Sequence, residues 1–316
     1  MNLVWKQVLT ESNSFGVGFA GQVRCWEVSP QGQSVAKVAT THEKPVLCSC
    51  WNATGDVVFS GGVDNQVKMW TLATNQTQQV AAHDAAVRHV AFMPEMNLLV
   101  TGSWDKTLRY WDLRSPNPVH SQPLPDKVYA MSCTHPLLVV GTADRNILVF
   151  NLQNPQQVYK QIASPLKYQT RCVTNFPDKT GFLVGSIEGR VAVHHVEDNM
   201  QNKNFTFKCH RNNNDVYAVN SIAFHPVHGT FSTAGADGAF NFWDKDSKQR
   251  LKAFQAANAP IPCSSFNKDG SIFAYAVSYD WSKGAENYNP ANAQNHILLH
   301  GVQDSEIKAR TRPNRR

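Results

Sequence analysis

The sequence predicts an all-β fold built from repeated four-stranded sheets, and two regularities support this prediction. An acidic residue precedes an aromatic residue or a histidine by six positions five times along the chain. The pairs are Asp64 and Trp70, Asp105 and Trp111, Asp144 and Phe150, Glu188 and His194, and Asp237 and Trp243. The acidic residues recur 39 to 49 residues apart, which is the length of one four-stranded blade of a β-propeller.

Each repeat consists of short stretches of alternating apolar and polar residues separated by Gly, Asp and Asn, a pattern typical of strands joined by turns. The clearest repeat predicts strands at 87–92, 98–102 and 107–112. The first repeat is marked by the residues around Trp26 and the last by 296–301. Counting the repeats predicts a seven-bladed WD-repeat β-propeller that occupies residues 1–306 as one domain.

The N-terminal end of this predicted ring lacks one strand. Propellers of this type close when an N-terminal strand completes the last blade, which removes an exposed sheet edge. Only 25 residues precede Trp26, and 14–20 and 23–28 account for two strands. A third strand at 4–9 is available where two are required. We therefore expect 1–13 to hold a variant or truncated strand and the closure to be incomplete: either the ring is open at this seam or the chain is a truncated or variant product.

The acidic and aromatic pairs predict a structural network within each blade. In the third repeat we expect His83, Ser103, Asp105 and Trp111 to form a hydrogen-bonded tetrad that ties a turn to the indole N–H. A buried network of this kind is favourable only when every member is satisfied. A catalytic triad is the alternative interpretation, but the spacing belongs to the repeat. No phosphate-loop or nucleophile-elbow string occurs, so we expect no enzyme and no small-molecule substrate.

Composition and charge narrow the possibilities further. No run of 18 apolar residues occurs, so we expect no membrane insertion. The seven cysteines include no C-x-x-C pair, which favours reduced thiols on buried strands. Cys209 and His210 lack further ligands at zinc spacing and are interpreted as incidental, so we expect no metal and no cofactor.

The net charge of +6 is concentrated at the C-terminus, where the last nine residues carry five positive charges and no acid. We expect 307–316 to be a basic, disordered tail. It is either a solvated end or a contact for nucleic acid or for nuclear import.

Several strings lie outside the repeat consensus and resemble a single family. They are GSIEGRVAVHHV (185–196), FTFKCHR (205–211), YAVNSIAFHPVHGT (217–230), FWDKD (242–246) and SYDWSKGAENYNP (278–290). These strings are similar to the mRNA export factors of the Rae/Gle WD-repeat family, and the likeness runs from about Phe15 to Glu306. The resemblance implies a non-enzymatic adaptor in mRNA export, located in the nucleus and at the nuclear pore complex and shuttling to the cytoplasm, with a further role in mitotic spindle assembly.

The resemblance also implies a partner and a groove. The partner is the hairpin-forming GLEBS segment of an FG nucleoporin, and single-stranded RNA or an mRNA ribonucleoprotein is a further ligand. The groove residues carried over from the family are Arg190, Phe207, Trp243, Asp244, Lys245, Lys248 and Arg250. At Lys248 the family pattern has an arginine, whose bidentate geometry a lysine does not reproduce.

The residues themselves leave the nature of this patch open. An aromatic side chain rimmed by cations suits an acidic peptide or a nucleic-acid backbone with a stacked base. Alternatively, Phe207 packs in the core and the charges are solvated, and Trp243 is also a tetrad residue of the repeat. Two other functions are therefore kept as alternatives: a Bub-type mitotic checkpoint protein, which the strings SYDWSKG and HPVHGT disfavour, and a direct single-stranded RNA-binding protein.

Overall fold

The computed structural model describes residues 5–10, 21–29, 32–291, 293 and 295–309, with the backbone alone at 5–10 and 285. Almost all regular structure in these residues is β-strand. The exceptions are 3-10 turns at Asp198–Lys203 and Ala285–Asn287 and the single-turn helix α1, Asp304–Ile307. Within the described ranges no helix has the length and apolar character needed to cross a membrane.

The first of two compact units comprises the described residues up to Ala163 and Trp281–Glu286. It contains a three-stranded antiparallel sheet and three four-stranded antiparallel sheets. The first sheet consists of β1 (Trp5–Thr10), β2 (Gly21–Val28) and β3 (Ser34–His42). The next consists of β4 (Val46–Trp51), β5 (Val57–Gly62), β6 (Gln66–Thr71) and β7 (Gln76–Ala82). The third consists of β8 (Val87–Met93), β9 (Leu98–Ser103), β10 (Thr107–Asp112) and β11 (Pro118–Pro123), and the fourth of β12 (Val128–Thr134), β13 (Leu137–Thr142), β14 (Asn146–Asn151) and β15 (Val158–Ala163).

The second unit comprises Ser164–Asp280 and the described residues from Asn287 onward. Its first sheet consists of β16 (Thr170–Asn175), β17 (Gly181–Ser186), β18 (Arg190–His195) and β19 (Phe205–Lys208). A hairpin of β20 (Arg211–Asn212) and β21 (Asp215–Val216) follows. The next sheet consists of β22 (Val219–Phe224), β23 (Phe231–Gly235), β24 (Phe240–Asp244) and β25 (Gln249–Ala253), and the last has only β26 (Ser264–Phe266), β27 (Ile272–Val277) and β28 (His296–Gly301).

Successive sheets within a unit pack through a repeated glycine–valine contact. A glycine in the second strand of one sheet faces the valine that begins the first strand of the next. The pairs are Gly61 and Val87, Gly102 and Val128, and Gly185 and Val219. A Cβ added at these glycines would lie between 2.7 and 3.1 Å from a valine methyl, closer than packed carbon atoms approach. Glycine is therefore required here by space, and its absence of a side chain brings adjacent sheets together.

The five acidic and aromatic pairs occupy the predicted positions. Each acidic residue lies in the turn between the second and third strands of its sheet, and each aromatic residue or histidine lies on the third strand. In the sheet β8–β11, His83 Nδ1 lies 2.8 Å from Asp105 Oδ2. Because a carboxylate can only accept, Nδ1 carries the proton. The two remaining links run through Thr101, whose hydroxyl lies 2.7 Å from His83 Nε2 and accepts from the Trp111 indole at 2.9 Å.

The prediction that Ser103 belongs to the tetrad is therefore wrong. Its hydroxyl donates to the Ala86 carbonyl and accepts from the Asp105 amide, so it shapes the turn instead. Residues i and i+2 of a strand share a face. The sequence pattern therefore allowed either hydroxyl, and the strand register selects Thr101.

The same arrangement recurs around Trp243, where His210 bridges Asp237 at 2.9 Å and Thr233 at 2.8 Å. The interpretation of His210 as incidental is therefore wrong, because it is the tetrad histidine of this sheet. In the sheet β4–β7, His42 bridges Asp64 and Ser60, but the Trp70 indole donates to Asn75.

The termini depart in part from expectation. The strand expected at 4–9 is β1, which pairs antiparallel with β2, whereas the strand expected at 14–20 lies outside the described residues. Ile307, assigned to the tail, is buried at the end of α1, and 310–316 are not described. No disulfide joins any of the seven cysteines, all of which lie in the described part. Among the described residues five sheets have four strands, two have three and one is the two-stranded hairpin β20–β21, so the number of blades stays a prediction.

Replacing Thr101 by valine should lower the free energy of unfolding by about 2–4 kcal/mol, because the ring nitrogen of His83 and the indole N–H of Trp111 would be buried without a partner. Urea denaturation measures this loss. Ser103→Ala, which leaves the link between histidine and tryptophan intact, should cost only about 1–2 kcal/mol. Equal losses for the two variants would contradict the assignment of Thr101.

Stability should also fall as the pH drops through about 4. Burial raises the pKa of Asp105, but hydrogen bonds from His83 and Thr107 outweigh it and hold the pKa below its ordinary value. The unfolded chain, with an aspartate pKa of about 3.9, then binds more protons than the native state below that pH, so the stabilisation present at pH 7 is lost on acidification. Urea midpoints between pH 5.5 and 3.5 should decline less steeply in Asp105→Asn than in the wild type. Equal slopes would contradict this prediction.

Candidate functional site

The residues carried over as groove residues meet in the second unit, on two sheets that neighbour each other. Arg190 begins β18, and Phe207 lies on β19 of the same sheet. Trp243 and Asp244 end β24, and Arg250 lies on β25, directly opposite Trp243 in the register. Lys245 and Lys248 lie in the turn that joins β24 to β25. Folding thus brings the outer strand of one sheet beside the outer hairpin of the next.

Trp243 lies at the centre of this region, and different parts of its indole make different contacts. Its indole N–H donates to the Thr233 hydroxyl at 2.9 Å, which completes the tetrad with His210. Its ring packs against Phe207, with ring centroids 4.7 Å apart, and the guanidinium of Arg250 lies 5.9 Å from the ring centroid. The tetrad therefore fixes the ring, and the ring supports a cation at the surface.

Two lysines repeat this pairing of a cation with an aromatic ring. Lys245 Nζ lies 5.1 Å from the centroid of Phe176, and Lys248 Nζ lies 4.6 Å from that of Phe205. We call these contacts, together with Arg250 over Trp243, the cation–aromatic row. Each contact contributes about 0.5–1 kcal/mol at an exposed site.

The members of the predicted groove differ in their freedom to bind a partner. Asp244 is buried and accepts hydrogen bonds from the amides of Asp246 and Ser247, so it holds the turn. Lys245 has a side chain only 12% exposed, and its ammonium lies 2.8 Å from Asp246. Lys248 and Arg250 are exposed. Lys248 and Arg250 are thus the exposed cations among the predicted groove residues.

Arg190 and Phe207 have partners within the fold. Arg190 Nε lies 3.7 Å from a carboxylate oxygen of Glu188. Phe207 is half-buried and joins the apolar cluster between the two sheets, which includes Phe231. The interpretation of Phe207 as a core residue is therefore correct for part of its surface, and its other neighbour is the ring of Trp243.

A cavity of about 330 Å³ opens beside Trp243. It is lined by Lys208, Cys209, His210, Arg211, Asn213, Asn241, Trp243 and Arg250. The lining residues include three cations and no carboxylate, so the cavity favours an anionic group. Arg211 is held in place by donating to the Glu188 carbonyl at 2.6 Å.

Sequence reasoning missed Lys208 and Arg211, although both lie within the string FTFKCHR. The signal available was the basic pair that flanks Cys209 and His210. What the sequence did not show is that the strand β19 and the hairpin β20–β21 place this pair beside Arg250.

Comparison with known proteins agrees with the repeats. The family model for the WD domain, G-beta repeat, matches residues 32–71, 74–112 and 201–244. These segments contain the Asp64 and Trp70, Asp105 and Trp111, and Asp237 and Trp243 pairs. The chain is therefore an all-β WD-repeat protein of the β-propeller class.

Relatives matched over more than four fifths of their own length define the family within this class. "Protein RAE1" of Arabidopsis thaliana is 66% identical over 295 residues, which cover 92% of this chain and 84% of that protein. "Poly(A)+ RNA export protein" of Schizosaccharomyces pombe is 52% identical, with 93% and 85% covered. "mRNA export factor GLE2" of Chaetomium thermophilum is 49% identical, with 92% and 83% covered. The chain belongs to the Rae1/Gle2 family of WD-repeat mRNA export factors.

Truncating Phe207 to alanine should lower the free energy of unfolding by about 2–3 kcal/mol, less than for a fully buried phenylalanine because the ring is only half-buried. Lys248→Ala, which removes one exposed cation from the row, should cost less than about 1 kcal/mol. Chemical denaturation measures both. A loss for Lys248→Ala as large as that for Phe207→Ala would show that the lysine is a structural element and is not available to a partner.

Proposed function

We propose that the protein is a non-enzymatic WD-repeat adaptor in the nuclear export of mRNA, acting in the nucleus and at the nuclear pore complex and shuttling to the cytoplasm. The observation that carries this proposal is the 66% identity to "Protein RAE1" over 92% of the chain, together with relatives named as RNA export proteins. Its scaffold in this proposal is a seven-bladed propeller in which the three-stranded sheets β1–β3 and β26–β28 are incomplete blades.

The partner we propose is the GLEBS hairpin of an FG nucleoporin, bound across the cation–aromatic row. Lys248 and Arg250 are exposed, and Lys208 and Arg211 line the adjacent cavity. A peptide that places a carboxylate near these cations and an apolar side chain against Phe207 and Trp243 gains both charge complementarity and a desolvated contact. The exposed outer strands β19 and β25 offer backbone groups to an extended peptide.

Single-stranded RNA is a second candidate ligand for the same surface, and the cation–aromatic row favours it. Aromatic rings beside cations can stack a base while the cations contact its phosphates. A role in spindle assembly would use the protein as the same kind of adaptor, with the same surface as its docking site.

Reversing two charges should separate partner binding from folding. In Lys248→Glu/Arg250→Glu, affinity for a GLEBS peptide should fall at least about ten-fold, because two attractive contacts become repulsive. Isothermal titration with the purified chain measures the dissociation constant. Lys245 is left unchanged because its ammonium is already engaged with Asp246.

The matched control is Lys268→Glu, which reverses an exposed lysine in the turn between β26 and β27 of the same unit. It should bind like the wild type, and all variants should unfold at similar temperatures. Unchanged affinity in the double variant would show that the peptide binds elsewhere. Binding of single-stranded RNA that is lost in the double variant and weakens steeply with salt, without any peptide binding, would favour the RNA-binding function.

A further inference from the structure

The string YAVNSIAFHPVHGT, which lies outside the repeat consensus, ends in a loop at 225–230 that joins β22 to β23 in the second unit. His225 organises this loop, because its Nδ1 lies 3.2 Å from the amide of Val227 and 3.1 Å from that of His228. Since an amide N–H can only donate, Nδ1 accepts, and Nε2 carries the proton that is donated to the Gly270 carbonyl at 3.2 Å. A buried imidazole therefore fixes the shape of the loop.

The loop holds the helix α1 through a buried hydrogen bond. The Thr230 hydroxyl donates to the carbonyl of Ile307 at 2.7 Å, and the two residues are 2% and 1% exposed. Thr230 is itself fixed by the loop, because the His225 amide donates to its carbonyl at 2.8 Å. A buried carbonyl left without a donor is costly, so this bond fixes the last residue of α1 at one place on the loop.

Two imidazoles pair with the two carboxylates of α1. His228 Nε2 lies 3.5 Å from a carboxylate oxygen of Asp304, and His300 on β28 places its Nε2 2.8 Å from Glu306. The Asp304 side chain is 81% exposed, so its pair adds little to stability, whereas the Glu306 side chain is 14% exposed. We call α1, together with His228, Thr230 and His300, the α1 clasp.

Ile307 packs on the hairpin that carries the cation–aromatic row, but on a different face. It belongs to an apolar cluster with Phe242 of β24 and Leu251 of β25, and α1 neighbours both strands. Trp243 follows Phe242 on β24 and therefore points to the opposite face, where it supports Arg250. The β24–β25 hairpin thus contacts α1 with one face and presents the row with the other.

We propose that the α1 clasp positions the β24–β25 hairpin and thereby sets the affinity of the cation–aromatic row for its partner, an inference that rests on the proposed function of that row. β25 is the outer strand of its sheet and pairs with β24 alone. Packing against α1 supplies the restraint that a further strand would give. A hairpin that must first be ordered binds a partner more weakly, because binding then has to offset the lost conformational entropy.

Thr230 and Ile307 are positioning residues in this proposal. Neither belongs to the row, and both act through the apolar cluster that contains Phe242 and Leu251. Release of α1 would weaken capture of the partner without changing a residue that contacts it.

Hydrogen exchange measured by mass spectrometry on the full chain tests the positioning directly. Thr230→Val removes the buried donor, and Ile307→Ala removes the apolar anchor. Both should speed amide exchange in β24 and β25 about three- to ten-fold, while exchange in β17 and β18 stays at the wild-type rate. Thr230→Ser, which keeps the hydroxyl, should exchange like the wild type.

Isothermal titration of the same variants with the GLEBS peptide measures the consequence for binding. The dissociation constant should rise about three- to ten-fold in Thr230→Val and in Ile307→Ala. Thr174→Val is the matched control, because it removes a threonine hydroxyl that donates to the Ile222 carbonyl at 2.7 Å elsewhere in the same unit. It should lose stability but keep wild-type peptide affinity and wild-type exchange in β24 and β25.

Unchanged exchange in β24 and β25 for both Thr230→Val and Ile307→Ala would overturn the proposal, and so would an equal acceleration in Thr174→Val. Faster exchange with unchanged peptide affinity would also overturn it, because the row would then not depend on the clasp. A wild type that fails to bind the peptide contradicts the proposed partner instead, and the exchange rates then decide whether α1 positions the hairpin.

Discussion

The candidate site depends on one buried link, in which an imidazole, a hydroxyl and an indole are joined by hydrogen bonds. Around Trp243, His210 contacts Asp237 through one ring nitrogen and Thr233 through the other, and Thr233 accepts from the indole. Each group satisfies a neighbour that would otherwise be buried and unpaired, so loss of any member exposes the others to that penalty. The link ties the third strand of the sheet to the turn before it and sets the plane of the Trp243 ring.

A fixed ring is what allows a rigid scaffold to present a binding surface. The edge of the Trp243 indole is used by the tetrad, whereas its faces contact Phe207 and support Arg250. The glycine–valine contacts hold successive sheets of a unit in fixed positions, because close packing leaves little room for one sheet to shift against the next. The tetrad and the contacts with Phe207 and Arg250 thus use different atoms of Trp243.

Much of the architecture could be predicted from sequence, since it rests on local periodicity. The predicted strand 107–112 coincides with β10, and the five acidic and aromatic pairs lie at the turns and third strands assigned to them. The hydroxyl of the tetrad was misassigned because Thr101 and Ser103 share one strand face. His210 was overlooked because its spacing to Asp237 is 27 residues, whereas His42 and His83 lie 22 residues before their aspartates.

The sequence by itself determined the repeat, the acidic and aromatic positions of the tetrads and membership of the family, because these are encoded in short spacings along one chain. Tertiary structure decided which predicted groove residues face outward. Asp244 and Lys245 follow Trp243 directly, yet both have partners within the turn. Asp244 accepts hydrogen bonds from the amides of Asp246 and Ser247, and Lys245 pairs with Asp246, while Lys248 and Arg250 are exposed. It also placed Lys208 and Arg211 beside Arg250. Such outcomes depend on which strands become neighbours, and hydrogen bonding between segments distant in sequence is not written in the local pattern of either segment.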